Sequence, residues 1–193
     1  MNVGSKRKIL VALIGDVDKE VVKSLSRNLR DVISCDVEIL EPVEIPEHAY
    51  NPSRDQFHST EMLSRLRRRV FRRGQESNAS TRLLGVTSVD LYIPGLDFVF
   101  GEADLPGRTA IISLKRLREE FYSREPDSEI LLERATREAV HGLGHTLGLG
   151  HCINELCVMH PSGRVEVIDK KESAFCQRCR QHVGGAVAQR ERI

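Results

Sequence analysis

Residues Lys8 to Ile14 form an unbroken apolar run of strand length, the pattern of a strand buried on both faces. Val17, Val21, Val22, Leu25, Leu29 and Val32 then recur at helical spacing, and Cys35 to Leu40 reads as a second strand, so the chain opens on a βαβ unit. Glu41 to Arg54, interrupted by Pro42, Pro46 and Pro52, reads as a loop. From Ser59 to Arg73 a helix is predicted, with Met62, Leu63, Leu66 and Val70 as its apolar stripe and Arg65, Arg67, Arg68, Arg69, Arg72 and Arg73 on the other faces; Gly74 to Ser80 ends it.

Three strands are expected next, over Leu83 to Ile93, Phe98 to Gly101 and Thr109 to Leu114, with turns at Pro94-Gly95 and Pro106-Gly107. Phe121 to Asp127 is a loop, and Asp127 or Ser128 caps a helix that runs to about Thr146, burying Leu132, Ala135, Ala139 and Leu143. Beyond Gly148 the chain turns to loops rich in Cys, His and Gly, with one short strand expected at Arg164 to Ile168. No internal repeat or low-complexity tract is evident.

Composition narrows the class. A length of 193 residues fits one domain, residues 1–193, divided into a sheet and helix part (1–147) and a C-terminal part (148–193). With 29 basic against 28 acidic side chains the net charge is +1, which disfavours partners recognised by global electrostatics, such as bulk nucleic acid or an anionic membrane. A solvated helix face is accordingly the simpler reading of the arginine-rich helix. The early apolar run is too short for a leader peptide or a membrane span, so a soluble, cytoplasmic protein is expected.

Candidate chemistry is concentrated near the C-terminus. His141 and His145, four apart on one helix face, are spaced to share a zinc ion, and Gly148 lets the chain leave the helix so that His151 returns as a third ligand. Three imidazoles leave one tetrahedral position open, as in catalytic zinc sites; the alternative is a Gly/His-rich turn with buried histidines. Four of the five cysteines, Cys152, Cys157, Cys176 and Cys179, match a closed zinc site of four thiolates, against the alternatives of buried free thiols or a redox C-x-x-C. Cys35, alone in an apolar strand, is expected to be a small core residue. Two Zn2+ per chain are therefore expected.

The run from His141 to His151 resembles the metzincin zinc peptidases, whose signature is H-E-x-x-H-x-x-G-x-x-H followed by a Met-turn. Its continuation through Cys152, Cys157, Met159 and the Cys176-x-x-Cys179 pair is similar to the archaemetzincin family. Gly85-Val86-Thr87 and Phe98 to Ala103 also look family-like. The resemblance implies an α/β, zincin-like fold: a mixed twisted sheet with flanking helices, an active-site helix and a small zinc-stapled C-terminal part. It implies further that Met159 is the Met-turn methionine, that the four cysteines hold a structural zinc, and that an extended peptide or protein ligand lies in a cleft beside an edge strand.

One position departs from the resembled pattern. Metzincins place a general-base glutamate immediately after the first histidine, and this chain has Gly142 there. General acid and base assistance is worth about 10² to 10⁴ in rate, so peptide-bond hydrolysis is expected to be impaired, and no catalytic residue is assigned. Glu138 lies one helical turn earlier, but helical side chains lean toward the N-terminus and would carry it away from the metal; Glu102, Glu155 and His160 are candidates from other segments. Gly142 and Gly144 each cost the helix about 1 kcal/mol relative to Ala, which reads as relaxed demands on the site or extra room beside the metal. Two functions follow: an impaired zinc metallopeptidase, or a non-catalytic zinc-binding protein that uses the peptide cleft to hold a partner.

Overall fold

The computed structural model of the chain describes residues 7–71, 80–105 and 107–190. Arg72, Arg73, most of the expected break after the arginine-rich helix, and Pro106 lie outside the described residues.

Strand β1 (Lys8–Ile14) sends alternate side chains to opposite faces, and both are buried. Ile9, Val11 and Leu13 join one core, while Ala12 and Ile14 join another. Helix α1 (Lys19–Ile33) is capped by Asp18, whose carboxylate accepts the Glu20 N–H at 2.8 Å, and it buries Val22, Leu25 and Leu29. Strand β2 (Asp36–Ile39) pairs parallel with β1, completing the expected βαβ unit.

The stretch expected to be a loop, Glu41 to Arg54, contains one short strand, β3 (Tyr50–Asn51); a second, β4 (Gln56–His58), lies just beyond it, and helix α2 (Ser59–Val70) follows directly. Met62, Leu63 and Leu66 of α2 are buried, and Arg65, Arg67, Arg68 and Arg69 are exposed, with Arg67 lying 3.5 Å from Asp104. The single strand expected over Leu83 to Ile93 divides in two. Strand β5 (Thr81–Thr87) runs parallel between β1 and strand β8 (Thr109–Ser113), whereas β6 (Leu91–Tyr92) pairs with β4 in a separate small sheet. Strand β7 (Gly101–Ala103) starts where the expected Phe98 to Gly101 strand ends and pairs antiparallel with β8.

The main sheet thus has the order β2-β1-β5-β8-β7, with β7 at an edge, and the second sheet has the order β3-β4-β6. Helices α1 and α3 (Ser128–Thr146) cover one face of the main sheet through a core that includes Val11, Leu25, Ala110, Ala139 and Leu143. Helix α2 covers the other face through Ile14, Leu66, Leu83 and Ile111. This mixed α/β arrangement, with helices on both faces of a largely parallel sheet, brings α3 against β8 and the edge strand β7.

Two elements of the C-terminal part differ from expectation. Arg164 to Ile168 alternates like a strand, yet Val165–Lys170 is a short helix, α4, that buries Val165 and Ile168 one turn apart. Gln177–Arg190 forms a further helix, α5, where only loop was expected. Its signal lies in Cys176, Cys179 and Val183, which recur at helical spacing once the thiols are counted as apolar.

Candidate metal centre

Helix α3 carries the first two histidines. Its first turn is closed by Asp127, whose carboxylate accepts the N–H groups of Glu129 and Ile130, both at 2.9 Å. The buried stripe is broader than expected and begins at Leu131, Leu132 being only partly buried. The helix ends in a Schellman motif: Gly148 has φ +91°, its N–H reaches the His145 carbonyl at 2.8 Å, and Leu149 N–H reaches the Gly144 carbonyl at 3.1 Å. The reversal carries the chain back over the last turn of α3, so that His151 faces His141 and His145. One ring nitrogen from each of the three lies within 4.8 Å of the others.

Backbone carbonyls orient two of these rings. His141 Nδ1 meets the Val158 carbonyl and His145 Nδ1 meets the Leu149 carbonyl, each at 2.8 Å. A carbonyl only accepts, so each Nδ1 carries the proton and each Nε2 presents a lone pair. The two Nε2 atoms nevertheless stand 3.0 Å apart, with no proton between them. Two facing lone pairs repel unless a cation lies between them, and ligands about 2.0–2.1 Å from a tetrahedral zinc stand roughly 3.3–3.4 Å apart. The donor set therefore fits a zinc ion. Burial, and then the nearby Lys171 charge, push His141 down from 6.5 to about 3, and burial also lowers His151, favouring the neutral imidazoles that a metal needs.

The two glycines of this helix have different surroundings. A Cβ on Gly144 would lie 2.4 Å from Met159 Sδ and 2.9 Å from Phe175 Cε1. A side chain at position 144 would press on the fully buried Met159 and on Phe175, which gives this glycine a packing reason in place of relaxed demands. A Cβ on Gly142 would meet only Ala110 Cβ, at 3.1 Å, a tight contact with a single methyl and a milder obstruction than at Gly144. Gly142 opens onto a cavity of about 580 Å³ whose walls include the three histidines, Phe98 to Ala103 leading into β7, and Pro161 to Gly163.

Three carboxylates also line this cavity. Glu138 is engaged by Lys171, whose Nζ lies 3.1 Å from Glu138 Oε1 and also donates to the carbonyls of Val158 and His160 at 3.3 and 3.2 Å. Glu102 pairs across the strands with Ile111 and accepts the Thr60 hydroxyl of α2 at 2.9 Å, on the sheet face opposite α3. Asp97 is exposed at the rim. Glu155 and His160 do not line it, and His160 Nδ1 instead meets the Cys152 carbonyl at 3.0 Å.

The four cysteines converge immediately behind His151. All are free thiols, with Cys152 Sγ 3.9 Å from Cys176 Sγ and Cys157 Sγ 3.8 Å from Cys179 Sγ. Four thiolates at about 2.3 Å from a tetrahedral zinc lie roughly 3.8 Å apart, so this set also fits the ion. A hydrogen bond from the Cys179 backbone lowers Cys176 to about 7, while burial raises Cys157 and Cys179. The C-x-x-C does open a helix, contrary to expectation, but each of its thiols has its close contact with a loop cysteine. Cys35 is half-buried rather than in the core.

Sequence reasoning missed Lys171 and the Val158 and Leu149 carbonyls. Backbone acceptors leave no trace in side-chain identity, and Lys171 is one lysine among many until the fold buries it.

Among the described residues no helix is long and apolar enough to cross a membrane. The profile of Peptidase family M54 matches residues 6–184. The chain is 42% identical over 172 residues to an archaemetzincin of Methanocaldococcus jannaschii, covering 89% of this chain and 90% of that protein. It is similar to the crystal structure of archaemetzincin from Methanopyrus kandleri, with a TM-score of 0.80 and 35% identity over 96% of this chain and 98% of that one. A second crystal structure, of archaemetzincin from Archaeoglobus fulgidus complexed with malonate, gives a TM-score of 0.76 and 35% identity over 91% and 99% of the two chains. The shared fold and the matched span identify the chain as a member of peptidase family M54, the archaemetzincins.

Proposed function

We propose that the chain is a cytoplasmic zinc metallopeptidase that binds two zinc ions and hydrolyses peptide bonds slowly because its general base is missing. In this reading His141, His145 and His151 hold the zinc of the cleft, Met159 is the Met-turn residue beneath it, and Cys152, Cys157, Cys176 and Cys179 hold a structural zinc. A reducing cytoplasm keeps those thiols available. The observation that carries the reading is the convergence of three imidazole nitrogens in a cavity where the next helix position is Gly142.

A bound zinc supplies Lewis-acid polarisation of a carbonyl oxygen and an acidified water. The chain's own residues do the rest. Strand β7, at the sheet edge, offers backbone groups to an extended peptide. The Val158 and Leu149 carbonyls hold two of the ligand rings in one tautomer. Proton transfer is the weak step, since Gly142 offers no acceptor, Glu138 is engaged by Lys171 and Glu102 by Thr60. The second reading, a non-catalytic protein that holds a peptide partner in the cleft, is favoured by the same engaged carboxylates.

A peptide-library cleavage assay on zinc-loaded protein tests the choice. Slow wild-type cleavage that disappears in His145→Ala supports the peptidase, with Gly142→Glu raising the rate by about 10² or more. A silent wild type that gains activity as Gly142→Glu supports the non-catalytic reading. Silence in both overturns the assignment of the missing base. Because Ala110 Cβ crowds position 142, Ala110→Gly with Gly142→Glu is the paired control.

A further inference from the structure

The cavity wall at Gly142 lacks a side chain beside three histidines that could hold a metal ion. A Cβ built there would be crowded by Ala110 Cβ at 3.1 Å, but apart from the chain neighbours and the helix's own backbone no other described atom lies within 4 Å, and Gly142 lines the cavity. On an ideal helix position 142 lies roughly 100° round from His141 and 60° from His145, beside the ligand face and not behind it. A divalent ion held there by three neutral imidazoles would keep its full double charge. Within the cavity the Glu138 carboxylate is already matched by Lys171, Glu102 is drawn to the other sheet face, and Asp97 stays at the exposed rim.

We infer that the notch over Gly142 is a carboxylate-binding position, filled by a small free carboxylate or by an acidic side chain of the bound peptide. This rests on the three histidines holding a divalent metal. The notch has the room that a side chain would otherwise fill, and the metal provides the attraction that an anion needs in an otherwise apolar wall of Phe98, Phe100, Ala110 and Ile112.

A carboxylate seated there restores the missing proton transfer. It accepts a proton from water as the water oxygen bonds to the peptide carbonyl carbon. It then gives that proton to the amide nitrogen as the C–N bond breaks. Peptide and water are consumed, a carboxylic acid and an amine are formed, and the carboxylate is regenerated. The slow hydrolysis by this chain is thus accelerated by a carboxylate from outside it.

The test uses the full chain loaded with Co(II) and titrated with formate. The histidine site is identified as the visible absorption lost in His145→Ala. Formate is expected to shift that absorption saturably in wild type, with affinity falling about tenfold or more in Ala110→Gly/Gly142→Gln, where a neutral side chain fills the notch. In zinc-loaded protein, formate is expected to raise peptide cleavage saturably by about tenfold or more in wild type, and by less than about twofold in Gly142→Glu. A second arm compares peptides carrying Asp or Glu near the scissile bond with their Asn or Gln counterparts. Preference for the acidic peptides in wild type alone assigns the carboxylate to the substrate, and a response to formate alone assigns it to a free anion. Co(II) uptake at the histidines with no formate shift and no acidic preference overturns the inference and leaves the zinc reading standing. Equal formate affinity in wild type and the glutamine variant also overturns it, because the anion then sits elsewhere. Failure of the histidines to take up Co(II) overturns both.

Discussion

Lys171 and Glu138 form an ion pair at 3.1 Å in which the lysine side chain is fully buried and the glutamate is 8% exposed. The same Nζ reaches the Val158 carbonyl, which also accepts the His141 Nδ1 proton. One buried cation thereby ties α3, the segment carrying Met159, and a histidine of the candidate metal site together.

Breaking this pair from one side leaves a buried carboxylate without a counter-charge. Lys171→Met is expected to destabilise the fold by about 3–5 kcal/mol in urea denaturation. It is also expected to weaken zinc at the histidines by about 10- to 100-fold in chelator competition, through the slackened Val158 carbonyl. Glu138→Gln combined with Lys171→Met removes both charges and is expected to recover most of the stability while leaving the zinc affinity low. Recovery of both quantities together would show that Lys171 serves the fold alone.

Two glycines on one helix separate packing from propensity. Gly144→Ala puts a methyl 2.4 Å from the buried Met159 sulfur and is expected to cost about 1–3 kcal/mol despite the better helix former. Gly142→Ala gains about 1 kcal/mol of propensity against mild crowding at Ala110, leaving a small net change. Equilibrium unfolding of the two variants checks the contrast, and equal effects would mean that Met159 yields easily.

The main frame was legible because β1, α1 and α3 carry strong periodicity and their caps are local. The strand expected over Leu83 to Ile93 split because β5 and β6 belong to different sheets, and pairing partners are not written in a strand's own residues. Val165 and Ile168 stand three apart as well as alternating with polar neighbours, so burial against the core decided for α4. The residues that could hold metal ions were readable from spacing alone. The engagement of Glu138 was not, since its partner lies 33 positions away and is brought in by tertiary folding.

Acid should weaken the protein through His141. Its pKa falls from the ordinary 6.5 to about 3, mainly by burial, so the unfolded chain binds a proton across that window and the folded chain does not. Stability from this group is complete above about pH 6.5 and is lost progressively as pH falls toward about 3. The urea midpoint is expected to drop between about pH 7.5 and pH 5 in wild type, and to drop less in His141→Gln. Parallel slopes would assign the acid sensitivity to other groups.

The two candidate zinc sites should respond unequally to loss of a ligand. His151 and Cys152 are adjacent, and the Cys152 N–H donates to the Met159 carbonyl at 2.9 Å, so the thiol cluster anchors the segment that returns His151 to the cleft. Among the described residues no side-chain hydrogen bond joins the three histidines to the cysteines, which sit in the loop after His151 and at the start of α5. Metal counting by native mass spectrometry is expected to give two zinc ions in wild type and one in His145→Ala, with little change in unfolding temperature. Cys179→Ala is expected to lose the structural ion, lower the unfolding temperature, and weaken zinc at the three histidines as well, leaving fewer than one ion per chain at limiting zinc. A Cys179→Ala protein that keeps one tightly held zinc would show that α3 and Gly148 alone position His151, and that the thiol cluster supports only the C-terminal part.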